Sequence, residues 1–216
     1  KKVKTGLMQK LLTRGIGHTK FKKVPWLFGK EIEIPEEWEV KKLVDSCEKI
    51  KDIVAGPFGS NLVVSDYTND GIPIIRLQNI ARNKFLNKNI KFIGKKKAEE
   101  LAYHSYISGD LVLAKLGEIV GKTCKIPDNF PNGIVVADVV RIRISTKKSD
   151  QNFIEYVLNS KLCDQQHIRE TTGTTRSRVN LEQIRNLQFP TPPLLEQNKI
   201  AMILSNVDDK ITAQEQ

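Results

Sequence analysis

Two short segments carry side chains suited to reading a nucleic acid. Arg76, Gln78 and Asn79 stand in the run Ile72-Pro73-Ile74-Ile75-Arg76-Leu77-Gln78-Asn79-Ile80. A guanidinium pairs bidentately with guanine, and Gln or Asn carboxamides pair with adenine. The second segment is the polar loop Thr171-Thr172-Gly173-Thr174-Thr175-Arg176-Ser177-Arg178. Its short hydroxyls, among them Thr174, Thr175 and Ser177, suit phosphate or base contacts, and Gly173 lets the backbone come close. Arg176 and Arg178 can engage guanine edges or phosphates. A solvated hydroxyl-rich loop and an edge strand with polar faces explain the same composition, so residue types alone leave both readings open.

Residue patterns that would do bond-making chemistry fail on spacing. Gly117-Glu118-Ile119-Val120-Gly121-Lys122-Thr123 has three residues between its glycines. A phosphate-binding P-loop needs four, so that successive amides curl round the phosphates. Asp128 and Asp138 suggest a metal-dependent nuclease, but the lysine wanted two residues after the second acid is Val140, and no cation neutralises the developing charge. Cys163 and His167 sit four apart on one helix face, yet no second pair completes a tetrahedral zinc site. No Gly-x-Ser-x-Gly elbow or Gly-x-Gly-x-x-Gly cofactor loop occurs, and His18, His104 and His167 are isolated. The residues favour a binding module over an enzyme.

The elements that must hold these segments are legible in part. The C-terminal run Phe189-Pro190-Thr191-Pro192-Pro193-Leu194-Leu195-Glu196-Gln197 leads into Ile200, Leu204, Val207 and Ile211, spaced 4, 3 and 4 apart. That is the apolar seam of a coiled-coil-type helix. The prolines keep its start at or near Leu194. A seam that stops at a chain end is expected to seek a partner helix, and Leu204→Asp is expected to uncouple assembly while leaving the rest folded. At the other end, Val3, Leu7 and Leu11 recur at steps of four, and Gly15 and Gly17 supply a stop signal. The chain is therefore expected to be one unit of a longer protein, with two ordinary terminal helices on one globule as the alternative.

Between the terminal helices, residues 15–35 read as a basic linker and Gly56-Pro57-Phe58-Gly59-Ser60 as a turn. Strands are expected over 72–80, 111–116, 134–144 and 187–189, with helices over 95–103 and 153–168. Trp38 reads as a core anchor. In the 134–144 strand Arg141 and Arg143 share one face, and Val140, Ile142 and Ile144 the other. Strands and helices do not alternate regularly, which predicts an α+β body with mixed or antiparallel sheets.

With 216 residues and 39% hydrophobic content the chain can bury one sizeable core. No apolar run is long enough to span a bilayer. Three separated cysteines fit a reducing cytoplasm. The net charge of +10 is concentrated: the first 30 residues hold nine Lys or Arg and no acid, so the remaining 186 net only +1. Within the body, 81–98 carries seven basic residues (Arg82, Lys84, Lys88, Lys91, Lys95, Lys96, Lys97) and no acid, a local patch suited to facing phosphates.

An ordered set of motifs now stands out: Gly6-Leu-Met-Gln-Lys-Leu-Leu12, Ile34-Pro-Glu-Glu-Trp38, Gly56-Pro-Phe-Gly-Ser60, Gly71-Ile-Pro-Ile-Ile-Arg-Leu-Gln-Asn-Ile80, Gly109-Asp-Leu-Val-Leu-Ala-Lys115 with Gly121-Lys122, Gly173-Thr-Thr-Arg176, and Pro192-Pro-Leu-Leu-Glu-Gln197. In this order they resemble one half of a specificity (S) subunit of a type I restriction–modification system. The resemblance implies the end of one conserved spacer helix (1–14), the basic linker (15–35), a target recognition domain (36–190) and the start of the next spacer helix (191–216). It implies no catalysis and no cofactor on this chain. S-adenosylmethionine, ATP and Mg are expected on partner modification and restriction subunits, and double-stranded DNA is the expected ligand. The implied DNA face is Arg76, Gln78, Asn79, Lys115, Lys122 and Thr174 to Arg178. The implied assembly seam, for modification subunits and for a second recognition domain or second copy, is Leu195, Ile200, Leu204, Val207 and Ile211. A stand-alone adenine methyltransferase or nuclease, and a helical scaffold that does not bind DNA, are the alternatives.

Overall fold

The computed structural model describes residues 2–117, 120–170 and 177–214. The chain opens with helix α1 (Lys2–Arg14), stopped by Gly15 at φ +63°, a value that favours glycine. Where a linker was expected, strands β1 (Phe21–Pro25) and β2 (Glu31–Pro35) form an antiparallel hairpin against α1. Val24, Ile32 and Ile34 fall on one side at period two and pack on the core, while Lys23, Glu31 and Glu33 take the other side.

Short strands follow: β3 (Glu39–Lys42), β4 (Ile53–Ala55), β5 (Tyr67–Thr68), β6 (Ile72–Ile75), β7 (Ile80–Ala81), β8 (Lys84–Phe85) and β9 (Lys91–Ile93). Helix α2 (Lys95–Glu100) leads to β10 (Ser105–Tyr106), β11 (Leu111–Ala114), β12 (Thr123–Lys125), β13 (Gly133–Val135) and β14 (Val139–Ile142). The chain closes with α3 (Gln151–Leu158), α4 (Lys161–Glu170), α5 (Leu181–Arg185), β15 (Gln188–Thr191) and α6 (Leu194–Gln214). The architecture is mixed α+β, as the irregular order of elements predicts.

Two sheets carry the body. One is antiparallel, in the order β12-β11-β14-β4; the other runs β10-β13-β6-β9-β5, with only β13 and β6 parallel. Strand alternation shows how they stack. Leu111, Leu113, Val140 and Ile142 face the main core with α3 and α6. Val112, Ala114, Cys124 and Val139 face the other way, onto Ile75 and Val135 of the second sheet. Ile74, Ile134 and Ile93 turn to the far side with Leu62 and Leu101. All four residues of β11 are buried because both faces of that strand are covered.

Three elements expected to be continuous are broken. The strand expected over 72–80 is β6 and β7, in different sheets, separated by a 3-10 turn at Leu77–Asn79. The strand expected over 134–144 is two, β13 and β14, in different sheets, because the chain crosses between layers at 136–138. The helix expected over 153–168 is α3 and α4. Asn159 ends the first: its amide spans Glu155 O and Thr123 O while its Oδ1 accepts from Thr123 N. Trp38 is fully buried as expected.

The seam on α6 corrects the expectation of an unpartnered helix. Ile200 and Leu204 are fully buried in the main core with Leu11, Leu12, Phe153, Ile154 and Val157. Helices α1 and α6 lie antiparallel: the backbone N–H of Ile16 donates to Glu196, whereas Lys4 pairs with Asp208 at the other end. Glu196 also accepts from Trp38 Nε1 at 3.0 Å and meets His18 Nε2 at 2.9 Å, fastening the start of α6 to the N-terminal segment. Of the five seam residues, Leu195 stands exposed and Val207 and Ile211 are half-buried. Two of the five are core residues because α3 and α1 supply, within the chain, the partner that the seam requires.

Candidate nucleic-acid interface

The described end of the 171–178 loop runs beside the end of β11. Arg178 bridges Leu116, Gly117 N–H donates to Ser177 O at 3.2 Å, and Val179 N–H donates to Lys115 O at 3.0 Å. Lys115 N–H in turn donates to Asp138 O, and the Arg178 guanidinium pairs with Asp138 Oδ1 at 3.1 Å. Lys115, Ser177 and Arg178, distant in sequence, therefore stand together, with Asp138 between the two cations. Burial pulls the Lys115 ammonium below the usual lysine range, and Arg178 adds to that while Asp138 opposes it. Thr174, Thr175 and Arg176 lie outside the described residues.

A groove of about 630 Å³ opens at this cluster. Lys115, Asp138 and Arg178 line it together with Phe58, Tyr103 and Asn180. Phe58 is 83% exposed and Tyr103 57% exposed. The turn that carries Phe58 has a fixed base. Gly56 N–H donates to Val139 O at 2.9 Å, and a Cβ on Gly56 would come within 2.0 Å of Val136 O, so only glycine allows this approach. His104 Nδ1 lies 2.7 Å from Ala55 O and ties the Tyr103 segment to the end of β4. The sequence marks 56–60 as a turn, but nothing in it signals that Phe58 is outside, since Phe is among the residues most often buried.

The other expected cluster divides. Asn79 is fully buried and its amide is consumed: Oδ1 accepts from Arg76 N at 3.0 Å, and Nδ2 donates to Leu86 O and Lys88 O. It is a loop tie, not a free base reader, because a buried carboxamide must satisfy its own donors and acceptor. Arg76 Nη2 donates to Asn89 O at 2.7 Å, and Gln78, which is exposed, reaches the same carbonyl at 3.4 Å. Lys122 is half-buried next to β12. No hydrogen bond or ion pair among the described residues joins the Arg76 cluster to the Lys115 groove.

The basic patch also separates into working parts. Arg82 is structural, donating to Asn159 O and pairing with Asp164 at 2.7 Å; Lys97 pairs with Asp66 and Glu100. Lys84, Lys88, Lys91, Lys95 and Lys96 are exposed, and none meets a carboxylate among the described residues. Cys163 and His167 are both buried, and burial lowers His167 to about 4, with Arg82 contributing. Arg143 grips Asp110 with two bonds, while Arg141 donates to Lys51 O, so their shared face serves the fold. Among the described residues no group of three His, Cys, Asp or Glu is placed to hold a metal, and no helix is long and apolar enough to cross a membrane.

Comparison with known proteins adds to this geometry. Residues 35–216 match the family described as the type I restriction modification DNA specificity domain. The chain is 29% identical over 215 residues to a type I restriction enzyme MjaVIII specificity subunit of Methanocaldococcus jannaschii, covering 97% of this chain and 48% of the relative. It is 28% identical over 190 residues to a putative MjaX specificity subunit of the same organism, covering 83% and 41%. The fold is similar to the crystal structure of an HsdS subunit from Thermoanaerobacter tengcongensis, with TM-score 0.63 at 14% identity over 98% of this chain and 44% of that one. A chain from a study of the assembly and conformational transition of the type I R-M system superposes with TM-score 0.65 at 16% identity, covering 99% and 46%. The chain thus spans about half the length of the curated relatives it matches.

Proposed function

From the premise that this chain belongs to the type I restriction modification DNA specificity domain family, we propose that it is a non-catalytic reader of DNA sequence. On this reading it recognises one part of a split target and recruits modification subunits, which carry S-adenosylmethionine, and restriction subunits, which use ATP and Mg. Helices α1 and α6 are then the ends of coiled-coil-type spacers between recognition domains. Leu195, Val207 and Ile211, the seam residues not consumed by this domain's core, are left to meet a second domain, a second copy or a modification subunit. On this reading the protein works in the cytoplasm.

The observation that carries the reading is the groove lined by Lys115 and Arg178, beside which Ser177 accepts from Gly117 N–H. Donors of this kind suit base edges, whereas Lys84, Lys88, Lys91, Lys95 and Lys96 suit phosphates, which position without specifying. Arg76 and Gln78 offer a second set of donors.

The test is purified protein with its modification subunit on duplex DNA. It should prefer the site at which adenine methylation is mapped in cells that carry the gene. Arg178→Ala should alter or relax the target. Lys96→Ala should weaken all sequences alike and flatten the dependence of affinity on salt. Absence of any sequence preference, or methylation by this chain alone, refutes the proposal.

A further inference from the structure

We propose that Phe58 is an apolar wedge that enters the base stack of bound DNA beside the Lys115–Arg178 contacts. This rests on the DNA-reading function proposed above. The side chain is 83% exposed at the rim of the groove, and it does not stand there for want of a core. Its turn is braced by the tight approach of Gly56 to Val136, by the bond from Gly56 to Val139, and by the bond from Asn61 N–H to Phe58 O at 2.8 Å. A braced turn holding a phenyl ring in water forgoes the burial of its apolar surface, which a ligand can return.

The groove's chemistry selects the ligand. Two aromatic rings, Phe58 and Tyr103, line it with two cations, Lys115 and Arg178. Asp138 is the one carboxylate among the lining residues described, and Arg178 already pairs with it. Aromatic faces with spare positive charge match stacked bases on an anionic backbone better than an apolar protein segment. Phe inserted at a base step unstacks it partly and bends the duplex, which gives sequence preference through the ease of deforming that step.

The experiment compares the wild-type complex with modification subunit against Phe58→Ala and Phe58→Leu. The probe is a duplex bearing the mapped methylation site, with 2-aminopurine placed in turn at its adenines. Wild type should brighten 2-aminopurine at one step, and Phe58→Leu should keep most of that signal. Phe58→Ala should abolish it and weaken specific binding at least tenfold, with non-specific binding and thermal stability unchanged. If wild type discriminates its site but Phe58→Ala binds and brightens like wild type, the wedge is refuted while DNA reading stands. If Phe58→Ala instead loses the modification subunit, Phe58 is a protein contact and the wedge is again refuted. If wild type itself shows no sequence preference, the underlying function fails and the wedge with it.

Discussion

Replacing Leu204 with alanine tests where α6 belongs. The residue is fully buried in the main core, among residues from α1, α3 and β15, so truncation opens a cavity that packed neighbours cannot close. Buried Leu→Ala changes cost about 2–5 kcal/mol. For a domain of this length each kcal/mol lowers Tm by about 2–4 °C, so a loss near 3 kcal/mol predicts a drop of about 6–12 °C. Leu195→Ala, one helix face away and 78% exposed, should stay within about 0.5 kcal/mol of wild type. Thermal unfolding followed by circular dichroism at 222 nm measures both. The reasoning is refuted if Leu204→Ala melts with wild type, or if Leu195→Ala loses as much. Leu204→Asp, which the sequence suggests would disturb only assembly, should prevent folding, because an unpaired carboxylate cannot be buried there.

Three further outcomes follow from the same geometry. Burial raises the Glu155 carboxyl to about 7, with nearby Asp208 adding to it and the Lys125 N–H and ammonium opposing. A folded value above the unfolded one means that this group's support is complete below about pH 4 and lost as pH rises through 7. Glu155→Gln should therefore raise the unfolding free energy from urea titration at pH 8, by up to about 3 kcal/mol, and change it little at pH 4. His167, lowered to about 4, has the opposite sign: its support is present above about 6.5 and is lost as pH falls toward 4. In a Glu155→Gln background, stability should fall by about 2 kcal/mol between pH 8 and 5, and His167→Gln should remove that slope in pH-resolved urea titrations. Asn79→Ala should destabilise by about 2 kcal/mol or more, since it strips partners from Arg76 N, Leu86 O and Lys88 O, without redirecting target choice. An unchanged melting point with an altered target would instead make Asn79 a base reader.

Much of this protein is written locally. The start of α6 follows from prolines that cannot enter a helix, and the end of α1 from a glycine free to take φ +63°. The buried Trp38 and the mixed α+β order were legible for the same reason: composition and period act over a few residues. The basic run at 81–98 was legible as a charge, but not that Arg82 and Lys97 would be spent on Asp164, Asp66 and Glu100.

What tertiary structure decided is who faces whom. The 3–4 spacing of α6 specifies an apolar stripe and not its partner, and α1 and α3 of the same chain took Ile200 and Leu204. A carboxamide at position 79 has the same chemistry whether it reads adenine or ties a loop; three backbone groups within reach chose the latter. Lys115, Asp138 and Arg178 meet only because β11, the chain after β13 and the loop before α5 close on one another. Phe58 stands exposed on a turn whose base, Gly56, presses against Val136. Local sequence sets the preference of each segment, whereas side-chain direction and partnership depend on contacts between residues far apart, which no local pattern encodes.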